Sequence, residues 1–118
     1  MLDPVLPSQL TPAEVCARLA AGEELCLLDV REDEELERAA LPHPHLHLPM
    51  GELTVRVGEL DPEARWVVVC HHGIRSAHVA NFLASQEFAW VANLRGGIDA
   101  WARDVDPSIP RYQLAARD

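Results

Sequence analysis

Along this 118-residue chain, short apolar runs alternate with amphipathic stretches, the pattern of alternating strands and helices. Thr11 reads as a helix N-cap, with Pro12 at the first helical position and Glu14 completing a capping box. Val15, Cys16 and Leu19 supply the apolar stripe of that helix, and Gly22 is its natural stop. The continuous run Leu25-Cys26-Leu27-Leu28, ending at Asp29-Val30-Arg31, fits a strand buried on both faces of a parallel sheet. The acidic stretch from Glu32 to Glu37 predicts a short solvated helix. Pro42, Pro44 and Pro49 then punctuate an extended segment on which His43, His45 and His47 alternate.

Residues 51–60 predict a short helix, closed by the turn Asp61-Pro62. The strongest strand signal is Trp66-Val67-Val68-Val69, and it runs straight into Cys70. A helix is expected over Ser76 to Phe88, burying Val79, Ala80, Phe82 and Leu83. A strand from Trp90 to Leu94 leads to Arg95-Gly96-Gly97 and a last helix carrying Ile98 and Trp101. This order specifies an α/β domain with a mostly parallel central sheet flanked by helices. One domain is expected across residues 1–118, its core over about 10–103, with a short C-terminal tail.

Composition narrows the function. Hydrophobic residues make up 48% and charged residues 25%, so the chain is neither disordered nor fibrous. The net charge is -9 and every basic residue is arginine, a balance that disfavours nucleic acid and anionic lipid as partners. No apolar run reaches the roughly 18 residues of a membrane span, and the first residues lack the pattern of a signal peptide. Three cysteines, sparse and odd in number, predict reduced thiols and a cytoplasmic setting.

The chemistry concentrates in Val67-Val68-Val69-Cys70-His71-His72-Gly73-Ile74-Arg75-Ser76. A cysteine at the C-terminal end of a central strand stands where open α/β sheets place their ligand sites. Gly73 allows a tight loop, and amides at the start of the next helix can form an anion nest. The helix end and Arg75 favour the thiolate of Cys70, the reactive form. Four residues separate Cys70 from Arg75, whereas protein tyrosine phosphatases place five in the corresponding loop. The tighter loop suits one extra sulfur atom on the cysteine better than a phosphoryl group.

These blocks, in this order, resemble a single-domain rhodanese, the thiosulfate:cyanide sulfurtransferase-like family. The resemblance runs from about Leu10 to Arg103. It rests on Leu27 to Glu32, on Leu48 to Leu53, on the loop Cys70 to Ser76, and on Val91 to Gly97 with Trp101. It implies an enzyme that moves sulfane sulfur through a Cys70 persulfide. The donor would be a small sulfur-containing anion such as thiosulfate, or a persulfide. The acceptor would be cyanide or a thiol, protein thiols included. The backbone amides of His71, His72, Gly73, Ile74 and Arg75 would hold the outer sulfur, and Arg75 would steer an anionic donor. No metal and no cofactor are expected. Where the family carries Gly-His-Ile-Pro-Gly-Ala, this chain has Ala39 to His45.

Other readings stand beside these. Rhodanese-like domains also serve as non-catalytic binding or regulatory modules, and the related seven-residue loop belongs to phosphatases and arsenate reductases. Arg75 could instead form a structural ion pair with an acidic neighbour. The side chains of His71 and His72 are expected at the loop surface rather than acting as a base. Asp29 and Arg31 are expected to fix the strand end, and Cys16 and Cys26 to lie in the core. His43, His45 and His47 could share one face and bind Zn²⁺ or Ni²⁺, with a solvated loop as the favoured reading.

Overall fold

The computed structural model describes residues 7–113. Five parallel strands form one sheet in the order β1-β5-β4-β2-β3. The strands are β1 (Ser8–Leu10), β2 (Leu25–Asp29), β3 (His45–His47), β4 (Arg65–Val69) and β5 (Trp90–Leu94). The helices are α1 (Pro12–Ala20), α2 (Asp33–Arg38), α3 (Leu53–Arg56), α4 (Ile74–Ser85) and α5 (Gly97–Asp104). Single 3₁₀ turns, Met50–Glu52 and Val57–Glu59, flank α3. Among the described residues no helix is long and apolar enough to cross a membrane.

Local chemistry accounts for most of these boundaries. Thr11 and Glu14 exchange the two capping-box hydrogen bonds at the start of α1, and Gly22 beyond its end adopts a left-handed φ of 87°. α4 begins at Ile74 rather than Ser76, because Gly73, with φ 93°, already turns the chain into the helix. It ends at Ser85, before Glu87, which takes up a left-handed φ of 63°. β1 is an addition to the expected elements: three residues pairing in register with Ala92, Asn93 and Leu94 of β5.

Alternating residues of the central strands fill two cores, one on each face. Leu27, Val67, Val69, Ala92 and Leu94 pack with Val15, Ile98 and Trp101 from the α1 and α5 side. Leu28, Val68 and Val91 pack with Leu53, Val79, Ala80 and Leu83 from the α3 and α4 side. Cys16 and Cys26 are only partly buried, each packed against one of these cores. The chain leaves β2 toward one sheet edge and β4 toward the other. The C-terminal ends of these neighbouring strands are therefore the topological switch point, where such sheets carry their sites.

The glycine pair at the start of α5 lets that helix approach the loop after β4. A Cβ built on Gly97 would overlap His71 O and stand 2.5 Å from Cys70 O, and its φ is 64°. Gly97→Ala is expected to destabilise the fold by about 3 kcal/mol through overpacking and a left-handed backbone. Urea unfolding checks this, and an unchanged midpoint would mean that the helix docks by other means.

Candidate active site

Cys70 follows β4 directly and is fully buried. The loop turns back on it, so that Gly73 N donates to Sγ at 3.1 Å and Ser76 N donates at 3.3 Å. Gly73 was among the expected cradle residues. Ser76 is an addition to the expected cradle of residues 71 to 75. Folding the amides inward turns carbonyls outward. These are met by Ile98 N on Cys70 O at 2.9 Å, Asp99 N on His71 O at 3.0 Å, and Asn93 Nδ2 on Gly73 O at 3.1 Å. Asn93 also accepts from the Ser76 hydroxyl and donates to Gln9 Oε1, so β5 braces both the loop and the first turn of α4. A polar side chain in the apolar run Trp90 to Leu94 was the available sign of this role.

Ile74 is half-exposed on the first turn of α4, and the side chain of His72 is partly exposed. His71 departs from the expectation of a surface group. Its imidazole is fully buried, stacked on His72 at 3.9 Å and on Tyr112 at 4.0 Å between ring centroids. The physical reason is the chain segment beyond α5, which returns across the loop and covers it.

Arg75 points its fork at Glu35 of α2. The two terminal nitrogens each donate to one carboxylate oxygen at 2.8 Å. The fork expected to grip a sulfonate is thus engaged by a carboxylate, in a structural ion pair. Glu35 is the exception in an acidic stretch that is otherwise mostly exposed, being itself only 1% exposed. Burial alone would raise its pKa. The Arg75 hydrogen bonds, the Glu32 amide and the Tyr112 hydroxyl outweigh burial and hold it at about 2.

Behind this pair lies a second one. Arg31 and Asp29 are both fully buried, joined by Nη2–Oδ2 at 2.7 Å and Nε–Oδ1 at 2.9 Å. The Tyr112 hydroxyl bridges the pairs, accepting from Arg31 Nη1 at 3.0 Å and donating to Glu35 Oε1 at 2.9 Å. Buried between these charged groups, Tyr112 has its pKa raised well above the ordinary phenol value. Asp29 and Arg31 therefore fix the strand end as expected, and they also anchor the chain end. Glu35 and Tyr112 gave no sign in the sequence, because their partners lie 40 to 81 residues away.

The three alternating histidines do not converge on one another. His45 Nδ1 engages His43 O at 2.9 Å, and His47 Nε2 engages Arg31 O at 2.6 Å. Among the described residues, potential ligand atoms of His71, His72 and Asp99 lie within 4.8 Å of one another. Asp99 in that group is already bidentate with Arg111, at 2.9 and 3.0 Å.

A strand-end cysteine cradled by amides, on a five-stranded parallel sheet with helices on both faces, defines an α/β protein built around one thiol. The profile of the rhodanese-like domain matches residues 11–104, and the chain belongs to that family. A protein named sulfurtransferase from Allochromatium vinosum is 34% identical over 102 residues, covering 86% of this chain and 94% of that one. Thiosulfate sulfurtransferase GlpE of Actinobacillus pleuropneumoniae serotype 3 is 34% identical over 96 residues, covering 80% and 86%. Among solved structures, a rhodanese-related protein from Thermoplasma volcanium superposes with a TM-score of 0.76 at 25% identity, covering 89% of this chain and 99% of that one.

The lowered pKa of Glu35 links the site to stability. A carboxyl held at about 2 instead of 4.5 adds stability that is complete above pH 4.5 and is lost as pH falls toward 2. The contribution at neutral pH is about 3 kcal/mol. Glu35→Gln should therefore be less stable than wild type by about that amount at pH 7. The gap should narrow on acidification below pH 4.5, as read by urea unfolding. A gap independent of pH would mean that the carboxylate charge is not what stabilises.

Proposed function

We propose that the protein is a rhodanese-type sulfurtransferase in which Cys70 carries sulfane sulfur as a persulfide. The observation that carries this reading is the pair of amides, Gly73 N and Ser76 N, aimed at the buried Sγ of Cys70. Such donors stabilise negative charge on the thiolate and, after transfer, on the outer sulfur of the persulfide. In the first step the Cys70 thiolate attacks the outer sulfur of thiosulfate; the S–S bond breaks and sulfite leaves with its electron pair. In the second, cyanide or a thiolate attacks the outer sulfur of the persulfide and Cys70 leaves as thiolate. A persulfide donor would enter by the same first step, releasing a thiolate. The relatives named as sulfurtransferases, one of them for thiosulfate, support this chemistry. A reducing, cytoplasmic setting would keep the three thiols available for it.

The amides of His71, His72, Gly73, Ile74 and Arg75 are proposed to line the path of the transferred sulfur. The Arg75 side chain acts through the shape of the loop, because Glu35 engages its fork. The fully buried thiol also argues for a cargo of one sulfur atom over an aryl phosphate.

Cys70→Ser is expected to abolish cyanide-dependent thiocyanate formation, whereas Cys16→Ala and Cys26→Ala retain it. Phosphotyrosine analogues should not be hydrolysed. Retained transfer in Cys70→Ser would remove the assignment, and Cys70-dependent phosphatase activity would move the chain to the other reading. Arg75→Ala should lower transfer from thiosulfate and from a neutral persulfide by similar factors, unchanged by added salt. A loss confined to the anionic donor and narrowed by salt would make Arg75 a direct ligand of that donor.

A further inference from the structure

The segment beyond α5 carries two residues that close over the loop. Arg111 is bidentate with Asp99, whose Oδ2 lies 3.7 Å from His72 Nε2. Tyr112 goes deeper and is 8% exposed. Its ring lies 9° from parallel to the imidazole of His71, at 4.0 Å, so it packs on the residue immediately after Cys70. Its hydroxyl holds Glu35 Oε1, the same oxygen that Arg75 Nη2 engages at 2.8 Å. Tyr112 therefore reaches the loop at both ends: His71 through the ring, Arg75 through Glu35. Arg111 and Tyr112 lie beyond residues 11–104, the stretch that the family model matches.

We propose that Tyr112 is a positioning residue of the sulfur-carrying loop, holding His71 and Arg75 so that the amides of Gly73 and Ser76 stay aimed at Cys70. The functional half of this proposal rests on the sulfurtransferase reading; the structural half does not. The physical basis is that a misplacement of about 1 Å in a catalytic cradle lowers rates by up to about a hundredfold. The loop has no regular hydrogen-bonding ladder of its own to resist one. Arg31 adds a constraint, because a buried guanidinium nitrogen is left short of an acceptor when the hydroxyl is removed.

The test uses the full chain with Tyr112→Phe, which keeps the stacking ring, and Tyr112→Leu, which removes ring and hydroxyl. Amide hydrogen exchange is followed over residues 71–76 and over β4, alongside kcat and KM for transfer from thiosulfate to cyanide. Exchange of the loop amides should accelerate by about tenfold in Tyr112→Leu and less in Tyr112→Phe, with β4 protected in both. The kcat should fall by about tenfold and about threefold respectively, with KM changed by less. Loop exchange equal to wild type in a folded variant overturns the proposal. So does faster loop exchange with wild-type kcat. Should Tyr112→Leu fail to fold, Tyr112→Phe alone decides by the same criteria. If the wild-type protein transfers no sulfur, the functional reading falls, and loop exchange still decides whether Tyr112 positions the loop.

Discussion

The amides of Gly73 and Ser76 can point at one sulfur atom only if the carbonyls of the loop find partners elsewhere. Most of this structure can be understood as meeting that demand. Cys70 O and His71 O face outward and receive the first free amides of α5, which are in reach because Gly97 has no side chain. Gly73 O receives the Asn93 side chain from the neighbouring strand. Helix N-termini always carry amides without intrahelical acceptors. Here α4 turns one of these toward the sulfur and α5 turns two toward the back of the loop. The same property serves both the Cys70 sulfur and the loop that surrounds it.

Charge is arranged with equal economy. The chain is strongly acidic overall, yet beside the cradle Asp29, Arg31, Glu35 and Arg75 balance to neutrality, with the Tyr112 hydroxyl between the two pairs. Such buried pairs contribute little net stability compared with a well-packed apolar core, but removing one partner leaves a charge stranded. Their effect is therefore directional: Asp29 ties Arg31 to the end of β2, and Glu35 ties α2 to the start of α4. Val30 N to Val69 O, at 3.0 Å, joins the same two strand ends through the backbone. The site is thus held from β2, β4, β5, α2 and α5 at once.

How much of this was legible in the sequence depended on whether the determining contact was local. The capping box at Thr11, the buried runs of β2, β4 and β5 and the cysteine with its glycine loop are written in neighbouring residues, and the structure follows them. β1 escaped because only Leu10 of its three residues is buried and its partner is more than eighty residues away. Glu35 looked solvated because nothing near it in sequence announces Arg75. Tyr112 and the burial of His71 escaped together, since each covers the other. The start of α4 was two residues early because Gly73 served as its N-terminal turn, a role read only as loop freedom from sequence.

The central claim is that the cradled sulfur of Cys70 accepts one more sulfur. Intact-protein mass after exposure to thiosulfate tests it most directly. The expected result is a gain of one sulfur atom, lost again on adding cyanide and absent in Cys70→Ser. No gain from thiosulfate or from a persulfide donor, or a gain that persists in Cys70→Ser, would contradict it.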